Sequence, residues 1–253
     1  MTDEPLALSR TKAAAVLVVG LCAWLSLSQP AAAGPLGSLF GRHPSDGRDI
    51  AAPPVARYVT EDGDVFTFDR TQSKALLKFD GSFEVWALQP QPAPRGDTIY
   101  KNDLGEPMLR ATRLGGLTLF TIESPGGTAV ALQGEAPPIR PPAILSPTAL
   151  FQRLAQASAH ASHVMQRLME FDAPDVTPES AYLIADAAAV TAEAIAGLDR
   201  KTREGLKLTR VVFVAGHAPA AKFTDGVLQI TVAPSRGVAG RPSSRRIDVV
   251  MNR

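Results

Sequence analysis

A single cysteine, Cys22, is all that the 253 residues contain. It lies inside the apolar run Ala13–Leu27, so the rest of the chain has no thiol for a disulfide or a thiolate zinc site. Stability must then come from packing. An excess of charge of one sign is also missing: 26 basic residues face 25 acidic ones, a net charge of +1. That balance generates no field of the strength that drives nucleic-acid binding, and no nucleic-acid partner is expected. Long hydrophobic runs are absent as well. The longest, AAAVLVVGLCAWLSL over residues 13–27, has 15 residues, short of the roughly 20 that a spanning helix needs. No HExxH helix motif and no GxSxG elbow occur, which removes two common hydrolytic frameworks. What is present is enough apolar material for a sizeable core, 45% of residues, with 21 prolines and 20 glycines to turn the chain often.

The N-terminal residues read as an export signal. Arg10 and Lys12 precede the apolar run, Ser28-Gln29-Pro30 interrupts it, and Ala31-Ala32-Ala33 supplies small residues for a signal peptidase. The expectation is a signal peptide over residues 1–33, cleaved after Ala33, and a periplasmic or secreted mature protein. Asp3 and Glu4 dilute the positive charge ahead of the run. The alternative is therefore an uncleaved inner-membrane anchor formed by residues 13–27, the chain's sole membrane contact. Leu21 occupies the place before Cys22 where a lipobox needs a small residue, which argues against lipidation. Residues 34–54 are rich in Gly, Pro and Ala without periodicity and read as a flexible lead-in.

Residues 55–253 are expected to form a single α+β domain. From 55 to 132 short β-favouring runs alternate with turn signals about every ten residues. The pattern predicts an antiparallel β meander that closes as a sandwich or small barrel. Phe66 and Phe68 share one strand face, Ala75, Leu77 and Phe79 another, and Trp86 and Leu88 a third that also carries Glu84. Strands apolar on both faces need a cover. A helical hairpin over residues 148–199 is expected to supply it. Its first helix is expected from about Thr148 to Phe171, with Leu150, Leu154, Ala157, Ala161, Val164, Met165 and Leu168 on one face. Thr177 is expected to N-cap the second helix, ahead of Pro178 and Glu179, with Leu183, Ala187, Val190, Ala194, Ile195 and Leu198 inward. Residues 207–251 return to strand patterns, with Asp225-Gly226 as a hairpin turn. These C-terminal strands are expected to join the β body, with SRGVAGRPSSRR as an exposed loop.

The candidate sites are sparse. Arg95-Gly96-Asp97, Asn102-Asp103-Leu104-Gly105 and Leu114-Gly115-Gly116 read as turns, with φ > 0 expected at Gly116. His160 and His163, three residues apart on one helix, are the weak metal candidates, with Asp172 and Asp175 near in sequence. His217, at a strand-to-loop change, is the weak catalytic candidate and has no serine elbow to serve. Glu61, Asp62 and Asp64 fit a hairpin tip and lack EF-hand spacing. No cofactor is expected.

The segments YVTEDGDVFTFDR, FEVWALQPQPAPRGDTIYKNDLGEPMLRATRLGGLTLFT and DGVLQITVAP resemble an uncharacterised family of secreted alphaproteobacterial proteins that carries a domain-of-unknown-function label. The resemblance implies export from a Gram-negative cell and brings no catalytic residue with it. The expected function is a non-enzymatic periplasmic or envelope protein that binds another envelope protein, a glycan or a small ligand. The alternatives are a periplasmic hydrolase and a secreted inhibitor of an enzyme.

Overall fold

Eight short strands form between residues 55 and 135 because the chain alternates apolar and polar residues and turns after every few. They are β1 (Val55–Thr60), β2 (Val65–Asp69), β3 (Ala75–Phe79), β4 (Val85–Pro92), β5 (Thr98–Lys101), β6 (Pro107–Ala111), β7 (Leu117–Leu119) and β8 (Thr128–Glu135). The computed structural model describes residues 53–140 and 144–252. The expected signal segment, Cys22 and nearly all of the expected lead-in therefore lie outside the described residues. Each strand pairs antiparallel with the next, and β8 returns to pair with β1, so the meander closes as a barrel. Alternation puts Ala56, Tyr58, Phe66, Phe68, Leu77, Leu88, Leu109 and Leu119 inside. Phe68 meets Tyr100 edge-on at 4.9 Å between ring centroids. An eight-stranded barrel is just wide enough to be filled by side chains, and this one is filled.

The remaining elements build a second lobe. They are α1 (Pro147–Met165), β9 (Glu170–Asp172), α2 (Pro178–Gly197), α3 (Arg200–Gly205), β10 (Arg210–Ala215), β11 (Ala220–Thr224), β12 (Val227–Val232) and α4 (Ser244–Met251), with a 3-10 segment at Pro234–Gly240 before α4. The sheet order is β11-β12-β10-β9, with β10 parallel to both β9 and β12. A parallel neighbour demands a crossover, and α2 is the crossover helix from β9 to β10. Thr177 caps it in a capping box closed by Ser180, with Pro178 in the first turn. Twelve of its residues are buried, many more than one stripe. It packs in a second core with α1, α4, Val211, Phe213, Leu228 and Ile230.

Four expectations about this half change. The C-terminal strands make their own sheet and do not join the barrel, because a closed barrel leaves no free edge to receive them. The helical hairpin accordingly buries its apolar faces in the second core. Residues 247–251, IDVVM, form the end of a helix: Ser243 caps α4 by accepting from the Arg246 amide, and Ile247 and Met251 bury at a spacing of four. Helix α1 also stops sooner than expected, where Gln166 adopts the left-handed conformation at φ 52. That leaves Leu168 86% exposed and frees residues 170–172 for β9.

Two glycines matter for packing. In the β6–β7 turn the positive φ belongs to Gly115, at +87, and Gly116 needs no such freedom. A residue with a β-branched side chain is therefore strained at position 115, and not at 116 on account of φ. Gly240 permits a close approach: an added Cβ would sit 2.1 Å from the Ala233 carbonyl oxygen and 2.9 Å from Leu183 on α2. The backbone there is also tied by the Gly240 carbonyl accepting from the Ala233 amide at 2.6 Å. Gly240→Ala is expected to cost about 1–3 kcal/mol, as overpacking against rigid backbone does. Urea denaturation checks it, with an unchanged midpoint as the contrary result.

Candidate functional site

A meander barrel places its β1–β2, β3–β4, β5–β6 and β7–β8 turns at one end. That end receives the second lobe. Glu84, just ahead of β4, and Asp103, in the β5–β6 turn, reach the start of α4. The Ser244 amide and hydroxyl donate to Glu84 at 3.0 and 2.5 Å. The Ser243 amide and hydroxyl donate to Asp103 at 3.1 and 2.6 Å. Carboxylates thus satisfy amides at a helix N-terminus, where the helix dipole favours negative charge. Arg246 adds a 2.7 Å ion pair to Asp103.

At the centre of the seam is Arg241, whose side chain is only 2% exposed. Its guanidinium pairs with Glu84 at 3.2 Å and with Asp186 of α2, and donates to the Val85 carbonyl at 2.9 Å. Burial opposes the charge, but Asp186 and Glu84 more than offset it and hold the guanidinium above its ordinary value. Burial outweighs Arg241 and Ser244 at Glu84 and pushes that carboxyl above the usual glutamate range. Tyr182, one turn before Asp186, is pushed up to about 12 by burial and then by the Asp186 charge, so it remains a neutral phenol. The segment SRGVAGRPSSRR, expected as an exposed loop, is in part the seam itself: Arg241 and Ser243 are buried. The sequence held a trace of this. Glu84 shares a strand face with Leu88, and Asp186 interrupts the apolar run of α2. Neither residue points to its partner.

Beside the seam the barrel end stays open as a cleft of about 770 Å³, within the usual range for ligand sites. Its floor includes Phe79, Trp86 and Met108, partly buried side chains packed on the barrel core. Phe120 and Ile122 wall it on the barrel side, and Ala194 of α2 on the other. Ile122 is 74% exposed. Trp86 is only partly buried here, so its truncation to alanine costs less than that of a core aromatic. Two smaller grooves, of about 330 and 390 Å³, flank the 234–240 segment.

The sites read from the sequence lie elsewhere. His160 and His163 are exposed on α1, and His217 is exposed in the β10–β11 connection. The structure brings none of the three into the lining of the cleft. Among the described residues no group of three or more His, Cys, Asp or Glu is placed to hold a metal ion. Asp64 ends up on the cleft rim. Arg95-Gly96-Asp97 is a 3-10 turn in which Asp97 accepts from Arg110 Nε at 2.8 Å and from the Arg113 amide at 3.4 Å. Hydrogen bonding from Arg110 holds the Asp97 carboxyl below the usual aspartate range. A depressed folded pKa stabilises above the unfolded value, and that stability is lost as pH falls through the folded one. Asp97→Asn is therefore expected to lower stability at neutral pH and to flatten the acid limb below the ordinary value of 3.8. Melting temperature against pH measures this; parallel curves for the two proteins would contradict it.

Together these features define an α+β protein with a filled β-barrel body, a second lobe docked on one barrel end, and an open apolar cleft beside the dock. The chain belongs to the family described as Domain of unknown function (DUF4908), whose model matches residues 36–251. No curated protein and no solved structure matches it.

Proposed function

We propose that the protein is an exported, non-enzymatic binding protein of a Gram-negative envelope, and that the cleft at the barrel end is its ligand seat. The observation that carries this reading is the cleft itself. Aromatic and aliphatic side chains, Ile122 most of all, remain in contact with water there. Exposed apolar patches of this kind are a cost that a binding site explains. The barrel interior is already occupied by side chains, so a ligand binds at the mouth. The positions of His160 and His163 on α1 and of His217 in the β10–β11 connection, all outside the cleft, favour binding over hydrolysis. Export rests on residues 10–33 alone. Among the described residues no helix is long and apolar enough to cross a membrane.

Two measurements test the reading. Titration with Nile red, an uncharged apolar dye, is expected to raise fluorescence in the wild type and to lose that rise in Phe120→Ser/Ile122→Ser. Equal signals from both proteins would remove the cleft as the seat. Mass spectrometry of protein recovered from the native host is expected to show loss of residues 1–33. A full-length species in the inner membrane would favour the anchor.

A further inference from the structure

The cleft is one-sided in charge. Five carboxylates line it, from Asp64, Glu106, Glu123, Glu193 and Asp248, against one guanidinium, Arg245. That guanidinium is already shared between Glu106 at 3.4 Å and Asp248 at 3.1 Å. Asp64, Glu123 and Glu193 are exposed and take part in no ion pair among the described residues. They come from three separate elements: the β1–β2 turn, the β7–β8 turn and α2. Like charges gathered on a rim raise the cost of leaving it empty and focus a negative potential over the apolar floor.

From this the geometry points to the occupant: a basic amphipathic peptide segment of another protein, with Lys or Arg side chains interleaved with aliphatic or aromatic ones. The inference rests on the binding reading above and names its ligand class. The apolar residues of the segment would cover Phe79, Trp86 and Met108. Its cations would meet Asp64 and Glu123 on the barrel side and Glu193 on the helix side. A small ligand with one cationic head would satisfy one of these carboxylates and leave the others unpaired, because the charges are spread across both walls. An extended segment with several cations matches the spread. Glycans and anionic lipids offer no positive charge to this rim. Electrostatic complementarity of this type sets partner choice and association rate more than final affinity.

The test uses a fluorescein-labelled peptide in which Lys alternates with Leu and Phe, a matched peptide with Glu for each Lys, and fluorescence anisotropy. The Lys peptide is expected to bind the wild type and the Glu peptide to bind much more weakly. Asp64→Asn/Glu123→Gln/Glu193→Gln changes only exposed side chains, and it is expected to weaken the Lys peptide roughly tenfold or more. Added salt is expected to weaken wild-type binding, because exposed charges are screened over about 10 Å at 0.1 M. Spermine, a polycation without apolar groups, is expected to compete poorly. Equal binding of the two peptides, or no change in the triple variant, overturns the inference. If Nile red binds in the cleft and the Lys peptide does not, the cationic partner is wrong and the ligand seat stands. If neither binds, both readings fall.

Discussion

Arg241→Ala is expected to lose about 3–5 kcal/mol of stability, the usual cost of removing one partner from a buried ionic group. Three consequences add up at one position. Glu84 and Asp186, whose side chains are 7% and 13% exposed, would each be left as a buried carboxylate without its cation. The Val85 and Pro242 carbonyls would lose a donor. The second lobe would lose its central tie to the barrel end. Arg241→Lys is expected to recover only part of the loss, because an ammonium cannot fork between two carboxylates and a carbonyl as the guanidinium does. The defect should also depend on pH. Burial already raises the Glu84 pKa, and a carboxyl with a raised folded pKa contributes stability at low pH that is lost as pH rises through that value. Without Arg241 this opposition is stronger, so the alanine variant should suffer less near pH ~5 than near neutrality. Urea denaturation at the two pH values is the measurement. A loss under about 1 kcal/mol at neutral pH would mean that the seam does not depend on the triad.

The two cores supply the second large effect. Phe66 is wholly buried in the barrel, 5.6 Å from Tyr58 and 5.7 Å from Phe79 between ring centroids. Phe213 is wholly buried in the second lobe, 5.7 Å from Phe171. Phe66→Ala and Phe213→Ala are each expected to cost about 3–5 kcal/mol, from lost burial and an unfilled cavity. Because the ionic seam links the lobes, both variants are expected to shift one common transition. Calorimetry distinguishes this from two separate peaks, which would show that each lobe unfolds alone.

Much of the barrel was legible because period-two alternation is a local signal. Phe66, Phe68, Leu77 and Leu88 could be placed inward from their neighbours alone. The capped start of α2 was equally local: Thr177 and Pro178 specify a helix N-terminus whatever packs above it. The end of the chain was not legible in this way. IDVVM has strand propensity, yet Pro242-Ser243 and the spacing of Ile247 and Met251 carry the helix signal that prevailed. The β-branched residues yielded because burial against α2 and β11 is worth more than their small propensity cost. The cleft was the least visible feature. Its lining comes from strand ends, turns and helices spread between residues 64 and 248, and no short window of sequence contains it.

That the chain stabilises its fold without disulfides, that eight strands precede a helical segment, and where the turns fall can all be read along the chain. These are one-dimensional properties, fixed by composition and by side-chain alternation along each strand. Closure of the meander is a three-dimensional outcome, set by the pairing of β8 with β1, and the rest follows from it. A sheet without edges could not take the last strands, so they paired with one another under α2. The lobe they formed then needed a charged seam to dock on polar barrel turns. Arg241, Glu84 and Asp186 lie up to 157 residues apart, and their pairing depends on which barrel end faces α2.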